Sequence, residues 1–148
     1  MDHPVIQIAM RYVHIVSAVV AVGGWAFMLW CVLPATRLLD ESFRDSLLKT
    51  LRQRFVKILW VAVAGLVVSG GYNWWMLAGQ YKAIGPAGNA LIGTKVLLAM
   101  ILVVHLWAAS TRLIKCNGKA PLMIHLHIAA IIILLAGILR YLRLAHGG

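Results

Sequence analysis

Four long apolar stretches constrain the fold of this chain more than any other feature. They cover approximately residues 6–33, 56–77, 91–114 and 122–144. Each is long enough to cross the hydrocarbon core of a bilayer as a helix, which takes ~20 residues. Lipid cannot satisfy backbone hydrogen-bonding groups, so segments of this length and composition are expected to be helical. The sequence therefore predicts an all-α fold, a single domain built as a bundle of four transmembrane helices.

The composition excludes most soluble classes of protein. Hydrophobic residues make up 62% of the chain and charged residues only 12%, against about half and about a quarter in an average soluble domain. The net charge of +10 would suggest a nucleic-acid partner in a soluble protein. In a membrane protein, basic residues instead collect in the cytoplasmic loops. We therefore expect the partner to be the lipid bilayer, with no nucleic acid.

The basic residues also predict a topology. The second connection contains only Lys82, whereas the first and third are much richer, with Arg37, Arg44, Lys49, Arg52, Arg54 and Lys57 in the first and Arg112, Lys115 and Lys119 in the third. The positive-inside rule then puts connections one and three in the cytoplasm, and both termini outside a cell inner membrane. Arg140 and Arg143 weigh against this orientation. On this topology Cys31 and Cys116 are expected to be free thiols.

The segment between the first two spans has a pattern of its own. Leucine and phenylalanine recur at helical spacing over residues 36–55, with charged residues between them. This pattern predicts an amphipathic interfacial helix, over about residues 40–53, on the inner membrane face. Residues 78–91 are rich in glycine and alanine and predict an external loop.

Histidines within the spans are the first functional candidates, because ionisable groups are costly inside a membrane. His105 and His127 lie at similar distances from the predicted turn at Asn117-Gly118, so they are expected at similar depth. His125 and His127 are two residues apart and point in opposite directions, so only one of them can face an interior site. The depths favour His105 with His127 as ligands of one metal ion, or of the two faces of a haem iron.

His14 and Lys95 lie nearer the opposite surface. His14 is expected about 10 Å from His105 in depth, so it either shares a haem through helix tilt or serves a second, outer site. Lys95 either extends to the interface or holds a carboxylate such as a haem propionate. Small residues follow His14 on the first helix, and a similar stripe lies on the second (Ala62, Gly65, Ser69 and Asn73). They allow close helix packing and would also leave room for a flat macrocycle.

Three segments, one in each of the first three spans, carry a resemblance to a known family: RYVHIVSAVVAVGGWAFML, RFVKILWVAVAGLVVSGGYNWW and GTKVLLAMILVVHLWAASTR. Over about residues 11–112 the chain resembles the CopD-like (copper resistance D) membrane superfamily, which is similar to the small haem-containing HemJ-type membrane proteins. By that resemblance His14 matches the histidine of helix one, and Lys95 and His105 match the pair of helix three. The resemblance implies that these positions bind haem b or copper.

Three functions remain open from the sequence. The first is a haem b protein that acts in electron transfer or oxidoreduction, with His14, His105, His127 and Lys95 at the cofactor. The second is a copper-handling or copper-transport protein, which needs a chain of soft ligands across the bilayer. The residues that could provide one are Met10, His14, Met28, Cys31, Met100 and His105. The third is a cofactor-free accessory subunit of a membrane complex, or a homo-oligomer. Whether the chain is an enzyme stays open, but all four acidic residues lie outside the spans, so a carboxylate-driven hydrolase is not expected.

Overall fold

The computed structural model describes residues 4–111 and 119–145, and within these ranges all regular structure is helical. Four of the helical segments there are long and apolar enough to cross a membrane, which confirms the predicted all-α class and is consistent with a multi-pass membrane protein. The long helices are α1 (Pro4–Phe27), α2 (Glu41–Ala83), α3 (Pro86–Ser110) and α4 (Lys119–Ala145).

The first span continues beyond α1 with a change of helical register. A π-helical turn covers Met28–Val32, and short turns follow over Leu33–Ala35 and Thr36–Leu38. The N–H of Leu33 bonds to the carbonyl of Met28, five residues back. Pro34 explains the change, because proline has no N–H to donate and its ring crowds the preceding turn.

Helix α2 runs without a break for 43 residues. The separate interfacial helix expected over residues 40–53 is therefore not confirmed: most of that segment forms the first turns of α2. Neither glycine nor proline occurs from residue 41 to residue 64, so nothing in the sequence interrupts the helix there. These turns pack along the first span, with Leu51 and Val32 lining one shallow groove. At 1.5 Å per residue, α2 is about 65 Å long, roughly twice the thickness of a hydrocarbon core.

The prediction of an external loop over residues 78–91 is wrong, because helices occupy nearly all of this segment. Helix α2 extends to Ala83 and α3 begins at Pro86. Gly85 makes the junction with φ 80° and ψ −153°, a backbone conformation that essentially only glycine adopts. Its carbonyl accepts the N–H groups of Gly88 and Asn89. Pro86 suits the first position of α3, where its missing N–H costs nothing.

The four helices pack as a closed ring. Each packs against the next along the chain, and α1 also packs against α4. The buried core cluster takes residues from every helix: Ala21, Trp25, Leu59, Ala62, Leu106 and Ala129. Large apolar side chains cover the outer faces, as expected where lipid is the solvent. We call the end that holds the start of α1, the α2–α3 junction and the end of α4 the terminal end, and the other the connection end.

Candidate functional site

One candidate site is a buried cluster of two histidines and a tryptophan, which we call the paired-histidine cluster. Nδ1 of His105 on α3 lies 2.9 Å from Nε2 of His125 on α4. The two rings meet edge-on, with centroids 4.6 Å apart and planes at 63°. Trp25 of α1 stacks on the other side of His125, at 4.9 Å and 27°. Three helices therefore meet at His125, which is buried.

The hydrogen bonds of this cluster determine where the protons lie. Nδ1 of His125 bonds to the carbonyl of Pro121, and a carbonyl only accepts, so this nitrogen donates. In neutral His125, Nε2 is then the acceptor, and Nδ1 of His105 donates to it. Nδ1 of His105 and Nε2 of His125 are therefore joined by a single hydrogen bond, with one proton between them. A metal ion could bind either of them only after this hydrogen bond had broken.

The structure brings His105 to His125, whereas the depth argument paired His105 with His127. His127 is exposed on the outside of the bundle, where its Nδ1 donates to the carbonyl of Met123 at 2.7 Å. The expectation that only one of the two histidines of α4 faces inward is confirmed. Depth in the membrane alone does not show which of the two histidines faces inward, because it does not define the rotation of α4 about its axis. The buried Ala129, four positions after His125, lies on the same inward face, but the sequence does not single it out, because Ala130 follows it on the face of His127.

The second candidate site, which we call the His14 cluster, lies between α1 and α2. Nδ1 of His14 is 3.0 Å from the hydroxyl oxygen of Ser69, a residue with no exposed surface. The hydroxyl of Ser69 donates its own proton to the carbonyl of Gly65. Ser69 must therefore accept from His14, so Nδ1 carries the proton in the neutral ring. Nε2 then carries the free lone pair, and a neutral histidine binds a metal through such a nitrogen.

Small residues let α1 and α2 approach closely around His14. A Cβ added at Gly65 would overlap the hydroxyl of Ser17, and one added at Gly70 would lie 3.5 Å from Cε1 of His14. An apolar groove of about 350 Å³ starts one helical turn along α1 from His14; it is lined by Val16, Ser17, Val20, Ile58, Val61 and Ala62. The predicted small-residue stripe on α2 thus contributes both to helix packing and to the surroundings of His14.

Lys95 belongs to the surroundings of His14 rather than to those of His105. It lies nine residues after Pro86, and His14 lies ten after Pro4. Since both helices start at the terminal end, the two residues have similar depth. Lys95 is half-buried and lies within electrostatic range of both His14 and Arg143. The start of α3 at residue 86, five residues earlier than predicted, places Lys95 deeper than the sequence suggested.

The predicted site residues thus fall in three places. His14 and Lys95 share one region, His105 lies in the paired-histidine cluster, and His127 is on the outer surface. Within residues 4–111 and 119–145, no three His, Cys, Asp or Glu side chains form a group that could hold a metal ion. Cys31 is an exposed free thiol, and Cys116 lies outside the described residues.

Comparison of the chain with protein-family models, with curated proteins and with solved structures finds no match. The resemblance to the CopD-like superfamily therefore stays a prediction from the sequence.

Proposed function

We propose that this multi-pass membrane protein binds haem b, with His14 as an axial ligand, and acts in electron transfer or oxidoreduction. The observation that carries the proposal is the hydrogen bond from Nδ1 of His14 to Ser69. Axial histidines of metal and haem sites characteristically donate this second ring proton to a neighbouring acceptor, which fixes the tautomer and the ring orientation. With Nδ1 engaged in this bond, Nε2 of His14 is the nitrogen that would bind the iron.

Lys95 supports the same proposal through its charge. A half-buried ammonium group is costly unless an anion compensates it. The acidic residues among those described are Asp40, Glu41 and Asp45, and all three lie at the connection end, far from Lys95. A haem propionate would supply the missing negative charge at the depth of His14. The apolar groove that starts beside Ser17 offers neighbouring surface suited to the porphyrin hydrocarbon.

The proposal gives different roles to the other two histidines of the predicted site. His105 is engaged with His125 through a 2.9 Å hydrogen bond, and His127 faces away from the bundle. We therefore assign the ligand role to His14 and treat the paired-histidine cluster as a separate feature. Haem, when bound, would supply one-electron chemistry. The chain's own contribution would be to orient the imidazole through Ser69 and to balance charge through Lys95.

The proposal is tested by the absorption spectrum of detergent-purified protein after haem supplementation. The wild-type protein should show a Soret band, and His14→Ala should lose it. His127→Ala is the matched control, because it removes an exposed histidine from the same bundle, and it should keep the band. Far-ultraviolet circular dichroism checks that each variant retains its helices.

Two results would overturn the proposal. One is a wild-type protein that shows no Soret band after supplementation. The other is a His14→Ala variant with a band equal to that of His127→Ala. Metal analysis of the same samples adds a further discriminator, since stoichiometric copper without a Soret band would favour the copper-handling alternative instead.

A further inference from the structure

Arg143, at the terminal end, has a guanidinium that is only partly satisfied by hydrogen bonds. Its Nη1 donates to the side-chain carbonyl oxygen of Gln80 at 3.2 Å, and its guanidinium carbon lies 5.7 Å from the centre of the Tyr81 ring. Its Nε is buried and has no hydrogen-bond partner. An arginine keeps its charge in any protein, so a buried Nε–H without an acceptor is a permanent cost in the structure as it stands.

A second cation makes this arrangement less favourable still. Lys95 lies close enough to Arg143 for the two charges to repel each other. Asp40, Glu41 and Asp45, the acidic residues in the described part of the chain, are at the connection end. Two neighbouring cations and an unused donor, with no acid beside them within residues 4–111 and 119–145, form a site that an anion would complete.

The position of Arg143 in the bundle indicates which anion. It lies two residues before the end of α4 at Ala145, and Tyr81 lies two residues before the end of α2 at Ala83. In a bundle that spans a bilayer, residues at helix ends lie at the level of the lipid headgroups. The anionic group available at this level on every side of the protein is the phosphate of a phospholipid.

We propose that Arg143 and Gln80, backed by the charge of Lys95, bind the phosphate of an anionic phospholipid at the terminal end of the bundle. On lipid binding the Arg143 side chain would turn so that a phosphate oxygen accepts the proton of Nε, which protein atoms cover in the free protein. The planar guanidinium can offer a second donor alongside it. Gln80 holds the guanidinium through Nη1, and the guanidinium carbon lies over the ring of Tyr81. The lipid site borders the His14 cluster and shares the charge of Lys95 with it, but the two residues proposed to contact the phosphate, Arg143 and Gln80, lie outside that cluster.

The test is native mass spectrometry of the full chain in a neutral detergent, with lipid added. Phosphatidylglycerol should bind to the wild-type protein more tightly than phosphatidylcholine. Arg143→Gln should weaken phosphatidylglycerol binding about tenfold, which corresponds to one lost charged hydrogen bond. Arg140→Gln is the matched control, because it removes an exposed arginine one turn away on the same helix, and it should bind as the wild type does.

A second variant covers the case in which Arg143→Gln does not fold. Gln80→Leu leaves both cations in place but removes the acceptor that orients Arg143, and it too should weaken phosphatidylglycerol binding. Equal affinity for the two lipids, or equal losses in Arg143→Gln and Arg140→Gln, would overturn the proposal. If inorganic phosphate at the same concentration displaced phosphatidylglycerol, the proposal that the bound anion belongs to a lipid would be overturned. The Soret band of haem-supplemented Arg143→Gln should equal that of the wild type, so this test and that of the haem proposal fail separately.

Discussion

Replacement of His125 by leucine tests whether the paired-histidine cluster stabilises the bundle. Leucine is apolar and of similar size, so the substitution removes the polar contacts of His125 with little change in packed volume. It breaks the 2.9 Å hydrogen bond to His105 and the stacking on Trp25. We expect His125→Leu to lower the free energy of unfolding.

The magnitude follows from the two contacts that join His125 to other helices, because its bond to the carbonyl of Pro121 lies within α4. A hydrogen bond between membrane helices contributes about 0.6 kcal/mol on average and up to about 1.7 kcal/mol. A stacked aromatic pair adds about 0.5–1.5 kcal/mol beyond the area that it buries. Together these give a loss of about 2 kcal/mol for His125→Leu. His127→Leu removes only a bond to the carbonyl of Met123 on the outer surface and should change stability by less than about 0.5 kcal/mol.

The assay is unfolding of the protein in mixed micelles with increasing denaturing detergent, followed by circular dichroism. A double-mutant cycle with His105→Leu isolates the hydrogen bond, and its coupling energy should be about 1 kcal/mol. If His125→Leu and His127→Leu were equally destabilising, or if the coupling energy were zero, the cluster would not hold the helices together as described.

Two glycines give further tests of the packing, each measured as a thermal midpoint in detergent. Gly24→Ala should destabilise the protein by about 1–3 kcal/mol, since the added Cβ would overlap the ring of Phe55. Gly23→Ala is the control: an added Cβ there has nothing within 4 Å, so this variant should be neutral or stabilised by up to about 1 kcal/mol. Equal thermal midpoints for the two variants would contradict the contact between Gly24 and Phe55. Gly85→Ala should cost about 1–3 kcal/mol because of its backbone angles. Gly79→Ala, within α2 and without close neighbours, serves as its control, and tolerance at both positions would refute the described junction.

The helical class and the four spans could be predicted from the sequence, because about 20 consecutive apolar residues leave a chain few alternatives in lipid. The ends of the helices were less accessible. Residues 78–91 contain glycine and alanine in a pattern typical of a loop, yet most of them continue α2 or begin α3. Composition suggests where a helix can end, but packing against neighbouring helices decides where it does end.

The site was predicted in part for a related reason. The sequence singles out His14, Lys95 and His105 as candidates because ionisable residues are rare within membrane spans. The choice between His125 and His127 needed the rotation of α4, which the buried Ala129 reveals only once the packing is known. From the sequence Arg143 is only a topology signal. Its contact with Gln80 joins residues 63 positions apart, and the burial of its Nε depends on how the helices pack.

Rescue of a cavity variant by imidazole tests the central claim, haem ligation by His14, most directly. His14→Gly removes the side chain and leaves its space beside Ser69, so the haem-supplemented variant should lack the Soret band of the wild type. Added imidazole should occupy that space and restore the band. A His14→Gly variant that binds haem as the wild type does, or that imidazole fails to rescue, would contradict the assignment of His14 as the ligand.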